Sequence, residues 1–173
     1  MNNIIVQDNF LSDEEMQNCL KIIESNTWKW GHHSSDKLSD TTFWQMDLFE
    51  NEYFFKVITP IIEKQFSKKF KIIRLYANAH TYGQDGSYHT DSEEPNNYTF
   101  CLYFSNIAQD NVETAGGHLF FKLPELNYKI CFEPKFNRGI FFPSNYIHKA
   151  VSFTRYIMDL RICVAWKLEE IFE

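Results

Sequence analysis

Two residues that commonly bind transition metals stand close together in the tripeptide His89-Thr90-Asp91. In an extended strand residues i and i+2 share one face, so the imidazole and the carboxylate point to the same side. A third candidate, His148, follows the apolar run GIFFPSNYI much later in the chain. Two neutral imidazoles and one carboxylate on one face of a metal leave the opposite coordination positions open. Such a facial triad suits Fe(II), because the vacant positions can take a bidentate co-substrate and then dioxygen.

The elements that must position these side chains change character along the chain, and the first third is typical of helices. Ser12 and Glu15 form a capping-box pattern just before apolar residues at helical spacing. A loop is expected over about 28–40, and a second helix over 51–69. Pro60 should kink that helix or mark a new start, because proline cannot continue a helical hydrogen-bond ladder.

From about Phe70 the period of apolar residues becomes two, which predicts strands. On the first of them, Tyr76, Asn78, His80 and Tyr82 alternate with small or apolar residues and share one face. Turn residues separate the strand-like runs, and no helical pattern intervenes, so an antiparallel sandwich or barrel is indicated. The runs are KIIRLYANAHTY, YTFCLYF, GHLFFKL, YKICFEP, RGIFFP, HKAVSF and DLRICVAWKL.

Length and charge narrow the functional classes. The 173 residues, 20.7 kDa, indicate one domain, and the formal charge of −6 without a Lys/Arg cluster disfavours nucleic acid as a partner. No apolar run approaches the ~20 residues of a membrane span, and the N-terminus lacks the pattern of a signal peptide. The four cysteines are widely separated, which predicts reduced thiols in a cytoplasmic protein. They are Cys19, Cys101, Cys131 and Cys163.

Five motifs in a fixed order resemble the Fe(II)/2-oxoglutarate-dependent dioxygenases, and most closely their prolyl 4-hydroxylase-like branch. They are YGQDGSYHTD, CLYFSN, GGHLFF, FEPKFNRGIFF with the later His148, and DLRICVAWKL. The resemblance covers roughly 71–168, over half of the chain. It implies a mainly β fold with supporting N-terminal helices and a double-stranded β-helix (jelly roll) core. The whole chain, 1–173, is then one domain, with helical support over about 1–69 and the core over about 70–168.

The resemblance also implies a cofactor, two co-substrates and their ligands. His89, Asp91 and His148 would hold Fe(II), while 2-oxoglutarate and dioxygen would be consumed. A cation must meet the distal carboxylate of 2-oxoglutarate, and arginine matches a carboxylate best. Arg161, inside the last strand, is the first choice, and Arg155, in an expected turn, is the alternative.

Tyr82 resembles the tyrosine whose hydroxyl supports the same carboxylate. Phe104 stands where relatives often carry another tyrosine, so one hydrogen bond is expected to be missing. In close prolyl hydroxylase relatives the arginine and a later tryptophan share strand parity, whereas Arg161 and Trp166 do not. This departure leaves the register of the last strand open.

Four other histidines have less specific interpretations. His80 is expected to be packed and hydrogen-bonded rather than to bind metal, and His118 to lie outside the metal site. His32 and His33 fall in the expected loop, where they would be solvated, or would face substrate if the loop closes as a lid.

The function implied by the resemblance is hydroxylation of an unactivated C–H bond, with release of succinate and CO2. A prolyl residue in a peptide or protein is the favoured substrate, and ascorbate is an expected accessory. One alternative is a free amino acid or other small molecule, although no second arginine is evident on an inner face. Another is a cupin-like metal-binding jelly roll without this activity, which would have no need for Arg161.

Overall fold

The computed structural model describes residues 3–25, 28–34, 41–107, 111 and 113–172, and ten strands and two α-helices lie within them. In chain order they are β1 (Ile5–Gln7), α1 (Asp13–Ser25), β2 (Lys29–His32), β3 (Phe43–Asp47), α2 (Thr59–Phe66), β4 (Lys69–His80), β5 (Asn97–Tyr103), β6 (Leu119–Lys122), β7 (Lys129–Phe132), β8 (Gly139–Pro143), β9 (Ile147–Ala150) and β10 (Arg161–Ile171).

The strands form two antiparallel sheets. The larger has the order β1-β8-β5-β10-β4-β3-β2, and the smaller has the order β7-β6-β9. Neighbours in a sheet are mostly distant in sequence, as in the pairing of β10 with both β4 and β5. The mainly β fold with a double-stranded β-helix core is therefore confirmed, and all seven predicted strand runs contribute a strand.

The helices cover one face of the larger sheet. The capping box of α1 is present: the amide of Ser12 donates to a carboxylate oxygen of Glu15 at 2.8 Å, and the amide of Glu15 donates to the Ser12 hydroxyl at 3.3 Å. Pro60 lies in the first turn of α2, after a π-helical segment at Phe54–Ile58, so the predicted new start is confirmed. Buried apolar side chains of both helices, Met16, Cys19, Ile23 and Ile62, share one cluster with Leu75, Phe100 and Trp166 of the sheet.

The other face of the larger sheet meets the smaller sheet. The ring of Phe121 on β6 lies 4.8 Å from that of Phe142 on β8, edge to face, and both are fully buried. The same cluster includes Tyr103, Cys101 and Cys163, whose side chains face the smaller sheet from β5 and β10. The candidate site lies in a cavity between the two layers.

The first third includes three strands that the helical interpretation and its loop did not predict. β1 pairs with β8, and β2 and β3 extend the larger sheet beyond β4. Polar residues such as Gln45 and Asp47 hide the alternation of β3, although Phe43 and Met46 are buried. Residues 35–40 of the expected loop lie outside the described residues. Within the described ranges, no helix combines the length and apolarity needed to cross a bilayer.

Candidate metal centre

The structure brings together the three predicted metal ligands. His89 and His148 form an antiparallel bridge, in which each amide donates to the carbonyl of the other at 3.0 and 2.9 Å. His89 Nε2 lies 3.5 Å from Asp91 Oδ1, and His148 Nε2 lies 3.4 Å from Asp91 Oδ2. One ligand atom from each residue falls within 4.8 Å of the other two, which is compatible with a single ion.

Backbone carbonyls orient both imidazoles. His89 Nδ1 lies 2.9 Å from the carbonyl oxygen of Ser87, and His148 Nδ1 lies 2.8 Å from that of Tyr146. Because a carbonyl only accepts, Nδ1 carries the proton and Nε2 keeps its lone pair for a metal. Burial lowers the pKa of His148 to about 4, although Asp91 opposes the shift, so this ring is neutral at pH 7.

The carboxylate of Asp91 is held through one oxygen. Oδ2 accepts a 2.6 Å hydrogen bond from the hydroxyl of Thr99, and it also forms an ion pair with the ammonium of Lys167. Burial would raise the pKa of Asp91, but Lys167 and His148 hold it well below its usual value. Burial would lower the pKa of Lys167, and the charge of Asp91 raises it instead. The buried pair is therefore charged.

The donor set fits Fe(II). The two imidazole Nε2 atoms and a carboxylate oxygen of Asp91 lie close together, and Oδ2 also accepts from Thr99. No other group of three or more such ligands occurs in the part of the chain that the structure describes. A set of two histidines and one carboxylate leaves coordination positions free, as the sequence predicts.

Arg161 is buried in the same cavity without an acidic partner among the described residues. Only 2% of it is exposed, and its Nε donates to the carbonyl of Gly117 at 2.7 Å while Nη2 donates to the hydroxyl of Tyr103 at 3.2 Å. A guanidinium has five N–H donors, so others remain unused. A buried cation without a counter-ion is costly, and the site therefore fits an anionic ligand.

Gly117 is needed where it stands. Its φ of +76° is unfavourable for other residues, and a Cβ there would lie 2.5 Å from the ring of Phe153. The close packing of Gly117 against Phe153 fixes the position of the Gly117 carbonyl, which accepts the hydrogen bond from Arg161 Nε.

The cavity of about 150 Å³ contains the triad, and side chains of β4 and β10 line it. Register pairs Arg161 with His80 and Lys167 with Arg74, and all four residues line the cavity. In the described residues, His80 Nδ1 and Asn78 Oδ1 are buried without a hydrogen-bond partner. Two such unsatisfied polar atoms in one cavity fit a polar ligand.

His80 is packed against an aromatic ring, as expected. Its imidazole stacks on Phe43 at 4.2 Å between centroids. Burial, reinforced by the charge of Arg161, lowers the pKa of His80 to about 3. His32 and His33 line the cavity, whereas His118 does not.

Tyr82 is not brought to Arg161. It follows the end of β4, is 65% exposed and does not line the cavity. Instead, the hydroxyl of Tyr103, fully buried on β5, accepts a hydrogen bond from Arg161. Phe104 itself lies in the helix-side core, so the hydroxyl beside Arg161 comes from the residue before it. The alternative, Arg155, is exposed and donates to the Tyr156 hydroxyl at 2.8 Å.

Sequence reasoning missed Lys167, Arg74 and Thr99. Lys167 could have been found from Arg161 by counting six residues along an alternating strand, because even spacing preserves the face. Trp166 lies on the opposite face and packs in the core, as its parity requires. Thr99 and Arg74 are the register partners of Lys167 on β5 and β4, which a single sequence does not reveal.

Comparison with known proteins supports the fold. No family model and no curated protein matches the chain. Among solved structures, a prolyl hydroxylase from Trichoplax adhaerens in complex with a hypoxia inducible factor peptide fragment superposes with a TM-score of 0.73 and 15% identity, covering 98% of this chain and 84% of that one. A viral collagen prolyl hydroxylase from Paramecium Bursaria Chlorella virus-1, in its 2-oxoglutarate complex, gives 0.64 and 17%, with coverages of 97% and 96%.

A third structure widens the range of chemistry. The non-haem α-ketoglutarate-dependent epimerase SnoN of nogalamycin biosynthesis gives a TM-score of 0.69 at 11% identity, covering 96% of this chain and 77% of that one. At such identities the similarity establishes architecture. This chain has the double-stranded β-helix fold of the Fe(II)/2-oxoglutarate oxygenases, prolyl hydroxylases among them.

Proposed function

We propose that this protein is an Fe(II)- and 2-oxoglutarate-dependent dioxygenase of the prolyl 4-hydroxylase-like branch, and that it hydroxylates an unactivated C–H bond with release of succinate and CO2. One observation carries the proposal: a His-Asp-His group and a buried arginine without a counter-ion line the same small cavity. The fold shared with such oxygenases adds to it.

The residues have separate roles. His89, Asp91 and His148 would hold the metal through the two Nε2 atoms and a carboxylate oxygen. When bound, the iron and 2-oxoglutarate supply the oxidising chemistry, using dioxygen. Arg161, supported by the Tyr103 hydroxyl, would bind the distal carboxylate of 2-oxoglutarate. Thr99 and Lys167 would fix the rotation of the Asp91 carboxylate, as partners of metal ligands commonly do.

The cupin-like alternative has less support. It gives no role to a buried, cavity-lining arginine, and Arg161 is one of the most buried charged groups described. The described metal-ligand group also includes only two histidines. We further propose that the whole chain, 1–173, works as one cytoplasmic domain; the helices pack on the sheet, and the cysteines are free thiols.

The substrate proposal has two forms. A prolyl residue in a peptide follows from the resemblance, and one structural neighbour is a complex of a prolyl hydroxylase with a peptide. A small molecule is the second form, and other neighbours act in nogalamycin biosynthesis. The expected objection to a free amino acid was that no second arginine is evident on an inner face; two further cations, the exposed Arg74 and the buried Lys167, line the cavity.

The test is turnover with identified products. The protein is incubated with Fe(II), 2-oxoglutarate, ascorbate and either proline-containing peptides or free amino acids, and succinate and a gain of one oxygen atom are followed by mass spectrometry. We expect succinate formation coupled to one substrate group and lost in Asp91→Ala. If wild-type protein with bound iron forms no succinate with any substrate, including by uncoupled turnover, the proposal is wrong.

A further inference from the structure

Two cations lie side by side at one part of the cavity. Lys167 on β10 is the register partner of Arg74 on β4, and both line the cavity. Arg161 lies six residues before Lys167 on the same face of the strand, so their Cα atoms are about 20 Å apart at the usual rise of a strand. The cation pair Lys167/Arg74 is therefore separate from the guanidinium that we assign to 2-oxoglutarate.

Strand alternation places both side chains on the cavity face, and a β-bulge lies directly beyond them. The register of β10 with β4 shifts between Lys167 and Leu168, directly beside Arg74. Bulges redirect side chains and are common next to active sites. The guanidinium of Arg74 lies 4.8 Å from the ring centre of Tyr76, and no carboxylate among the described residues forms an ion pair with it.

The ammonium of Lys167 has unused donors. Lysine carries three N–H groups, and the structure gives one partner among the described residues, Asp91. Its side chain is nearly fully buried, where unsatisfied donors of a charged group are costly. A ligand that accepts hydrogen bonds at this position would satisfy them.

Counted together, the charges of the filled site leave an excess of positive charge. Fe(II) carries two positive charges, and Asp91 offsets one of them. The two carboxylates of 2-oxoglutarate then bring the sum to about one negative charge. Arg161 balances that charge. Lys167 shares the carboxylate of Asp91 with the metal, and Asp91 is the only carboxylate among the residues that line the cavity, so Lys167 and Arg74 add a net charge of about +2 beside the metal ligands.

We propose that the substrate is a small carboxylic acid whose carboxylate binds between Lys167 and Arg74, rather than a neutral prolyl unit of a peptide. The inference rests on the proposed function and names its substrate class. Because Lys167 also contacts Asp91, a carboxylate held there keeps the neighbouring carbon atoms of the substrate beside the metal ligands. Arg74, which is exposed, stands at the solvent side and adds the second cation.

The test is direct binding without turnover. Protein loaded with Zn(II) and saturated with 2-oxoglutarate is titrated with a panel of small carboxylic acids and with their primary amides, and binding is followed by saturation-transfer NMR. We expect acids to bind in preference to their amides. Lys167→Met should weaken acid binding about 30-fold or more, Lys167→Arg should retain most of it, and Arg74→Gln should weaken it about threefold.

Controls separate this inference from the proposed function. Arg155→Gln removes an exposed cation outside the cavity and should bind acids as the wild type does. Metal and 2-oxoglutarate binding are measured first in each variant, and failure of the wild type there overturns the proposed function and the inference with it. If both bind, then equal binding of acids and amides, no binding of any acid, or an unchanged affinity in Lys167→Met overturns the inference alone.

Discussion

Arg161 and Lys167 lie on the same face of β10, six residues apart, and both side chains line one cavity. They differ in what they touch. Arg161 contacts a carbonyl and a hydroxyl, whereas Lys167 contacts the carboxylate of Asp91. β10 thus supplies two cations with different roles. Arg161 has no acidic partner among the described residues and can bind an anion, whereas Lys167 is paired with Asp91, a candidate metal ligand.

Replacing Arg161 with alanine should raise the concentration of 2-oxoglutarate required for binding far more than that of iron. Loss of a buried, charge-assisted partner costs about 2–5 kcal/mol, or roughly 30-fold and upward in affinity. Tyr103→Phe should have a smaller effect, since it removes one neutral hydrogen bond. Titration of Zn(II)-loaded protein with 2-oxoglutarate by calorimetry measures both changes.

Arg155→Ala is the matched control, because Arg155 is exposed and bonds only to its neighbour Tyr156 among the described residues. Its affinity for 2-oxoglutarate should equal that of the wild type. A severe loss in Arg155→Ala with a mild one in Arg161→Ala would show that the assignment of the anion site is wrong.

Thr99→Val should weaken metal binding about tenfold without changing the charge of the site. The hydroxyl of Thr99 orients Asp91 through Oδ2, and loss of such a partner typically costs 10–100-fold in metal affinity, by an order-of-magnitude estimate. Competition with a chromophoric chelator measures the change. Thr114→Val, at an exposed position, is the control, and equal affinities in the two variants would exclude an orienting role for Thr99.

The metal-free protein should lose stability as the pH falls below about 6.5. His80 in the folded state has a pKa lowered to about 3, from 6.5, so the unfolded chain binds more protons between these values. At about 1.36 kcal/mol per pH unit, the contribution of His80 alone lowers the free energy of unfolding by about 2 kcal/mol at about pH 5. His148, with its pKa lowered to about 4, adds a similar loss.

Urea unfolding at a series of pH values checks this dependence. His80→Phe replaces the imidazole that stacks on Phe43 with a ring that does not titrate. Between about pH 6.5 and pH 5, the free energy of unfolding of this variant should therefore fall by about 2 kcal/mol less than that of the wild type. Thr114→Val, which removes no titrating group, should keep the wild-type slope. An unchanged slope in His80→Phe would contradict the assignment of His80 as a buried neutral group.

The strands and the triad could be predicted because their signals are local. Alternation identified every strand from β4 to β10, and the spacing of His89 and Asp91 needs only the face rule. Short strands that contain polar residues, such as β3 with Gln45 and Asp47, were missed. β3 is a strand because it pairs with β4, and its own sequence does not alternate between apolar and polar residues.

Contacts between strands were the part that the sequence did not reveal. Tyr82 and Tyr103 are equally plausible partners of Arg161 until pairing is known, since register decides which hydroxyl arrives. Arg74 shares the face of Tyr76 and His80 by parity, but only the pairing of β4 with β10 places it beside Lys167. Lys167 could have been predicted, because its even spacing from Arg161 places both on one face of β10. Arg161 was compared only with Trp166, which lies on the other face.

His148→Ala should abolish stoichiometric iron binding, because the remaining pair of ligands cannot define a face of the metal. Iron content after anaerobic loading and desalting is the measurement. His118→Ala is the matched control and should bind one iron per chain. Undiminished tight binding in His148→Ala would exclude the triad.

The central claim is that the His-Asp-His group and Arg161 together bind Fe(II) and 2-oxoglutarate in one cavity. The most direct test is the visible charge-transfer absorption that appears when 2-oxoglutarate chelates Fe(II) under anaerobic conditions. We predict that the band forms in the wild type, is absent in Asp91→Ala, and in Arg161→Ala forms only at much higher 2-oxoglutarate. A wild-type protein that binds iron but shows no band at any 2-oxoglutarate concentration would contradict the account.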